Sequence, residues 1–314
     1  RIVVATSVML TFISYWRAAA IVLNDLASSA FYACGIAEQA IGKSAPWLIV
    51  GVMLFSFAVR AVYVESCSMF VRGGVYRVVK EALGGTLAKI SVSALMFDYI
   101  LTGPISGVSA GQYIAGLIND VSATADAHGW IPQALHSWFH GTPHVNVNAT
   151  SVLFALAVTV YYWWENTKGI QESSEKALRV MQITTVMVII LLAWSALTLA
   201  KNGYQTVPLP SPDNLKFSDE ALGFLKHTFK AQDLAKLFGI FGILIAFGHS
   251  VLAMSGEESL AQVNRELAHP KLKNLKRAAI VIAIYSFVFT GLSALLSVML
   301  IPDAVRVPIY KDNL

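Results

Sequence analysis

The chain contains about seven apolar stretches, each long enough to cross a lipid bilayer as a helix. Hydrophobic residues make up 56% of its 314 positions and charged residues 13%, a composition typical of membrane proteins. We therefore expect an all-α integral membrane protein whose immediate partner is the lipid bilayer. At about 20 residues a span, the predicted spans cover roughly residues 18–42, 46–70, 87–118, 150–164, 180–200, 236–260 and 278–301.

Basic residues are distributed unevenly among the connections between these spans. Segment 119–149 contains no Lys or Arg, whereas 71–89 and 261–277 contain several. Because basic loops stay in the cytoplasm, we predict a multi-pass protein of the cell (inner or plasma) membrane with a cytoplasmic N-terminus and with external loops at 119–149 and 201–235. Residues 1–16 are predicted to be an interfacial lead-in. This asymmetry explains the net charge of +4, and we expect no nucleic-acid partner.

The residues that bind cofactors and metals in other proteins are sparse here. Cys34 and Cys67 both fall inside predicted spans, which does not fit a disulfide framework. His136 and His140 have a spacing that suits one helix face, but no carboxylate or cysteine completes a ligand set around them. We therefore predict no cofactor, no transition-metal site and no enzymatic activity.

Three of the predicted spans contain clusters of polar residues. The clusters are Asn24–Ser29, Asp98–Thr102 and Ser255–Glu258. A carboxylate in hydrocarbon is costly and usually marks a pathway or a binding site. These clusters are therefore the strongest indication of function in the sequence.

Two of the clusters also predict interrupted helices. Short polar side chains around Asp25, Ser28 and Ser29 compete for backbone hydrogen bonds within a helix, and residues 248–258 offer the same mixture of glycine, hydroxyls and acids. Broken helices in transporters expose half-helix ends that bind ions or charged solutes. Two interrupted spans five helices apart indicate an inverted repeat, although Ser and Gly also serve ordinary helix packing. For His249, an interhelical hydrogen bond and a role in proton transfer both remain open.

Several motifs, taken in order, resemble the amino acid–polyamine–organocation superfamily. The motifs are Glu65–Tyr76, Asp98–Thr102, Lys168–Ser173 and Arg265–Pro270. The resemblance implies a LeuT-like fold of ten helices in two inverted repeats of five, working by alternating access. Residues 1–314 would then form a single permease domain, with the first repeat at 1–200 and the start of the second at 236–301. We expect the chain to be truncated after its seventh span, and the isolated fragment not to transport.

One branch of the superfamily implies potassium as the transported ion. KUP-type potassium uptake permeases have ion-binding residues at spacings similar to those in this chain, where Asp98 is expected to face Asp25 and Ser255 across a central site. By the same resemblance, Glu258 would carry a proton. Acids and hydroxyl oxygens suit an alkali cation. Taken over this branch and the amino acid branch described next, the candidate substrate- or ion-binding residues are Asp25, Ser28, Ser29, Tyr32, Asp98, Tyr99, Thr102, Ser106, Ser255 and Gly256.

The other branch implies an amino acid as the solute. The backbone at Ser28–Ala30 and at Ser255–Gly256 would then bind the solute's carboxylate and amine. By resemblance, Glu257 stands where many amino acid permeases have an aromatic gate, so it favours a cationic side chain or an ion and is a further candidate for proton coupling. Span five has Thr184 and Thr185 where proton-coupled members often have a lysine. A non-transporting nutrient sensor remains an alternative, and a homodimer is a further expectation.

Overall fold

The structure is a computed structural model that describes residues 12–70, 74–131, 142–219, 221 and 239–309. Most of the predicted lead-in 1–16 lies outside the described residues, as do parts of both predicted external loops, His136, His140 and residues 236–238 at the start of the sixth predicted span. The helices, in chain order, are α1 (Tyr15–Leu26), α2 (Ala33–Ile41), α3 (Ala45–Met69), α4 (Gly74–Leu83), α5 (Gly85–Ala127), α6 (Val147–Asn166), α7 (Ile170–Asn202), α8 (Ile240–Ser250), α9 (Ser259–Val263), α10 (Lys271–Ser286), α11 (Ser293–Leu300) and α12 (Asp303–Ile309).

The prediction of an all-α membrane protein is confirmed. Helices fill most of the described residues, and the extended pairing among them is an isolated parallel bridge between Ile13 and Leu267. Four described helices are long and apolar enough to cross a membrane, and a bent pair of helices meets the same measure when it is counted as one span. The four are Ala45–Met69, Val147–Asn166, Glu172–Asn202 within α7, and Lys271–Leu300, in which a π-helical segment at Phe287–Leu292 joins α10 to α11. The bent pair is Tyr15–Phe31, which is α1 with the 3₁₀ segment after it, and Ala33–Ile41, which is α2.

Two of the seven predicted spans do not meet this measure of length and hydropathy. Helix α5 has 43 residues, but its many glycines and serines, together with Asp98, lower its mean hydropathy. Helix α8 has only 11 residues before the backbone departs from α-helical geometry. The count of seven spans therefore stays a prediction.

The described residues form two compact units. In the first, residues 12–96 and 169–309, α1 packs against α7 and α10, and α10 also packs against α3. Buried alanines supply much of this core, including Ala18–Ala20 on α1 and Ala278 on α10. Small side chains let helix backbones approach closely, which is how helices associate where lipid removes the hydrophobic driving force.

Ion pairs join α2 to α12 at one end of the first unit. The Arg306 guanidinium is buried and donates to both carboxylate oxygens of Glu38 at 2.7–3.1 Å, and Asp303 lies 2.8 Å from both Lys43 and Arg306. Hydrogen bonds from Lys43 and then Arg306 hold the pKa of Asp303 below its ordinary value. This end of α2 is therefore fixed to the segment that follows α11.

In the second unit, residues 97–168, α5 and α6 pack through glycines. A Cβ atom built on Gly111 would lie 2.5 Å from the Cα of Ser151, and one built on Gly107 would lie 3.1 Å from the Cβ of Ala155. These glycines are four residues apart and so lie on one helix face. The two helices can approach this closely only because Gly111 has no side chain.

Replacing Gly111 by alanine should therefore destabilise the helix pair, because the methyl group would overlap the backbone of Ser151. Overpacking of this kind costs about 1–3 kcal/mol. Gly116 is the matched control, since it lies on the same helix with nothing within 4 Å of a built Cβ. We expect Gly111→Ala to lower the melting temperature of the purified full-length protein by several degrees and Gly116→Ala to leave it unchanged or raise it. Equal melting temperatures would contradict the close approach.

Candidate functional site

The first span is interrupted at the predicted polar cluster. Helix α1 gives way to a 3₁₀ segment at Ala27–Phe31, and the chain bends by 42° before α2. The Ser28 hydroxyl donates to the carbonyl of Asp25 at 2.6 Å, and the Ser29 hydroxyl donates to the carbonyl of Leu26 at 2.7 Å. Such bonds from side chain to backbone compete with regular helix geometry. The predicted break in the first span is thus confirmed.

The sixth predicted span is interrupted in the same way. Helix α8 ends in a 3₁₀ segment at Val251–Met254, a turn follows at residues 255–258, and α9 then begins at Ser259. Gly256, in the turn, has a φ of +96°. A residue with a side chain rarely adopts this conformation. The second predicted break is also confirmed.

The two breaks are in direct contact. A Cβ built on Gly256 would lie 2.8 Å from Cγ of Asp25 and 2.9 Å from the backbone nitrogen of Leu26. The Ser259 hydroxyl donates to Oδ2 of Asp25 at 3.0 Å, and the Ser29 hydroxyl lies 2.8 Å from the carbonyl oxygen of Ala253. A half-buried carboxylate therefore lies where the two interrupted helices meet.

Two further predicted residues border this contact. Tyr32 is 2% exposed and connects the 3₁₀ segment to α2, with its backbone nitrogen donating to the carbonyl of Ser29 at 3.3 Å. Ser255 is half-buried at the start of the second turn. The structure thus brings together the predicted residues of the first and sixth spans, which are Asp25, Ser28, Ser29, Tyr32, Ser255 and Gly256.

A buried ion pair lies beside the second break. Nη2 of Arg60, on α3, lies 2.6 Å from Oε1 of Glu257, and the two side chains are 3% and 2% exposed. The same nitrogen donates to the hydroxyl of Ser286, on α10, at 2.8 Å. The pair therefore links the turn that contains Gly256 to two spanning helices.

Sequence analysis did not identify Arg60 as part of the site. Its signal was a single arginine in the middle of an apolar span, where charged residues are rare and face the protein interior. The acid that matches it, Glu257, lies in another predicted span. A search for opposite charges within separate spans would have proposed the pair.

The remaining proton-coupling candidates, Glu258 and His249, lie at or near the second break. Glu258 is 8% exposed and immediately precedes α9, without a capping hydrogen bond from its side chain. His249, near the end of α8, has its ring centroid 6.5 Å from that of Phe217. The described residues contain no group of three or more His, Cys, Asp or Glu side chains suited to a metal ion.

The predicted residues of the third span lie in the second unit. Asp98, Thr102 and Ser106 are spaced by four residues along α5 and so lie on one helix face. The Thr102 hydroxyl lies 3.4 Å from Oδ1 of Asp98. Tyr99 is 37% exposed. The predicted contact of Asp98 with Asp25 and Ser255 stays a prediction.

Comparison with known protein families identifies a match over most of the chain. Residues 13–308 match a family model described as Amino acid permease. The match covers both breaks, the buried ion pair and the α5 residues. No curated protein and no solved structure matches the chain.

The buried ion pair predicts a large effect of removing either charge. Arg60→Met or Glu257→Gln would leave one buried charge without its partner, which costs about 3–5 kcal/mol. We expect each single variant to lower the melting temperature of the full-length protein by several degrees, and the double variant to recover part of the loss. Arg77→Met and Glu81→Gln are the controls, because that pair is more than half exposed and such pairs contribute about 1 kcal/mol at most. If the buried and exposed variants melt alike, the Arg60–Glu257 pair is not a determinant of stability.

Proposed function

This chain belongs to the amino acid permease family, and we propose that it is a secondary active transporter that moves a small solute across the membrane by alternating access. One observation supports this proposal most strongly: two interrupted helices meet at the carboxylate of Asp25. A broken span costs hydrogen bonds in hydrocarbon and is tolerated where the backbone lines a cavity or a binding site. Half-helix ends at such a break bind ions and charged groups.

We propose an amino acid as the solute. The first amides of α2 have no partner within their own helix and carry the positive end of its dipole, which suits a carboxylate. The carboxylate of Asp25 suits the ammonium group. The family match supports this solute class directly, since the model that the chain matches is that of amino acid permeases.

Potassium is the second candidate. The side chain of Asp25 and the hydroxyl oxygens of Tyr32 and Ser255 are hard ligands, which alkali cations prefer. In the second unit, Asp98 and Thr102 offer a carboxylate and a hydroxyl on one helix face. A potassium ion and the ammonium group of an amino acid are both positively charged, so both interpretations assign the same role to Asp25.

Other features of the transporter stay predictions. These are the LeuT-like inverted repeat, the cytoplasmic N-terminus, the cell membrane as location and the homodimer. Proton coupling also stays a prediction, and its three candidate residues differ in their surroundings. Glu257 is already paired with Arg60, which leaves Glu258 and His249 as the better candidates for carrying a proton.

A parallel flux experiment tests the proposed function and the solute together. Full-length protein in proteoliposomes would be assayed with a panel of radiolabelled amino acids and with rubidium in place of potassium. We expect uptake of an amino acid by the wild type and a loss of about tenfold or more in Asp25→Asn, since a hydrogen bond to a charged group contributes about 1.5–3 kcal/mol. Asp98→Asn, at matched expression, tests the carboxylate of the second unit.

The outcomes of this experiment are distinct. Rubidium uptake without amino acid uptake would replace the first candidate solute by the second. Amino acid binding without flux would identify a sensor instead of a transporter. Neither binding nor flux of any of these solutes would contradict the proposed function.

The contact between the breaks makes a separate prediction. Gly256→Ala would place a methyl group 2.8 Å from Cγ of Asp25 at a strained φ, so we expect it to reduce uptake of the transported solute at least tenfold. Gly248→Ala is the matched control in the same span, because nothing lies within 4 Å of its built Cβ. A Gly256→Ala protein that transports like the wild type would show that this approach is not needed for function.

A further inference from the structure

A groove of about 530 Å³ lies between α3 and α10 in the first unit, and none of its lining residues belongs to either break. Its apolar lining includes Phe57, Ala61 and Val64 from α3 and Ile280 from α10. Phe57 and Ile280 are 46% and 60% exposed. Because both helices are long and apolar enough to span a membrane, a groove lined by their exposed apolar side chains suits the acyl chain of a lipid.

Two opposite charges line one end of the groove. Glu65 lies near the end of α3 and Lys276 near the start of α10, and both line the groove. Neither side chain forms an ion pair with the other or with another residue in the part of the chain that the structure describes. A ligand that binds both would carry a cationic group for Glu65 and an anionic group for Lys276.

A buried side chain lines the groove farther from that end. Arg60 is 3% exposed, and its Nε and Nη1 atoms have no hydrogen-bond partner among the described residues. A buried donor without an acceptor is costly. Acceptor oxygens on a ligand within the groove would satisfy these nitrogens without disturbing the ion pair that Nη2 makes with Glu257.

We propose that this groove binds a glycerophospholipid whose headgroup carries a primary amine, such as phosphatidylethanolamine. Glu65 accepts hydrogen bonds from the ammonium group and Lys276 donates to the phosphate. The ester carbonyl oxygens accept from Arg60, and an acyl chain lies against the apolar lining. An anionic headgroup without an amine is disfavoured because it would lie against the charge of Glu65. A quaternary ammonium is disfavoured because it has no proton to donate to that carboxylate.

Native mass spectrometry of the full-length protein tests the headgroup. Purified protein would be mixed with equal amounts of phosphatidylethanolamine, phosphatidylglycerol and phosphatidylcholine that carry identical acyl chains. We expect preferential retention of phosphatidylethanolamine by the wild type. Glu65→Gln and Lys276→Gln should each reduce that retention about tenfold, because each removes a charge-assisted hydrogen bond.

Two matched controls separate the groove from general effects of charge and size. Lys273→Gln removes an exposed charge from α10 that does not line the groove, and it should leave retention unchanged. Ala61→Phe fills the groove and should reduce retention of all three lipids, whereas Ala58→Phe, on an exposed part of α3 outside the groove, should not.

Three results would overturn the proposal. The first is retention of phosphatidylglycerol or phosphatidylcholine by the wild type that equals or exceeds that of phosphatidylethanolamine. The second is equal retention by Glu65→Gln, Lys276→Gln and Lys273→Gln. The third is a lipid-free dimer that Ala61→Phe dissociates, since the groove would then be an interface between two copies of the chain.

Discussion

The contact between Gly256 and Asp25 is the constraint on which the proposed site depends. Each break is a weak point, because its backbone has left the regular hydrogen-bond pattern of an α-helix. Packed together, the two breaks support each other: Ser29 reaches the carbonyl of Ala253, and Ser259 holds the carboxylate of Asp25. A shift of either break therefore displaces the other. A transition between two packed arrangements, such as alternating access, requires elements that move together in this way.

The Arg60–Glu257 pair extends this constraint to the neighbouring helices. Burying two charges is costly, and a well-packed apolar replacement is often as stable or more stable. The pair is therefore weak evidence for stability as such. Its value lies in position, since Glu257 adjoins Gly256 and Arg60 also contacts Ser286 on α10. The ion pair and its hydrogen bond to Ser286 specify one arrangement of the turn relative to α3 and α10. Apolar side chains at the same positions would allow several arrangements.

Sequence patterns predicted local features well and distant pairings poorly. Composition identified the membrane class, and the span predicted at 46–70 is a helix at Ala45–Met69. The breaks were predicted because short polar side chains act on their own backbone, which is a local effect. The Arg60–Glu257 pair was missed because it joins residues from separate spans, and hydropathy does not say which helix faces meet. Helix α5 was predicted as a span but falls short of the hydropathy measure, because the glycines that let it pack closely on α6 also lower its mean hydropathy.

Two acids at the breaks, Glu257 and Asp25, differ in their surroundings, and this difference indicates which of them would bind a charged group of the solute. The resemblance to permeases led to the expectation that Glu257 favours a cation, since it replaces an aromatic gate. In the structure, however, the charge of Glu257 is balanced by Arg60 at 2.6 Å, and both are buried. A cation bound at Glu257 would have to compete with that arginine or lie beside its positive charge. Asp25 accepts a hydrogen bond from Ser259 at Oδ2 and is half-buried where the two breaks meet. In the proposed function, recognition of the solute's positively charged group is therefore assigned to Asp25, and Glu257 contributes by holding the turn that brings Gly256 against it.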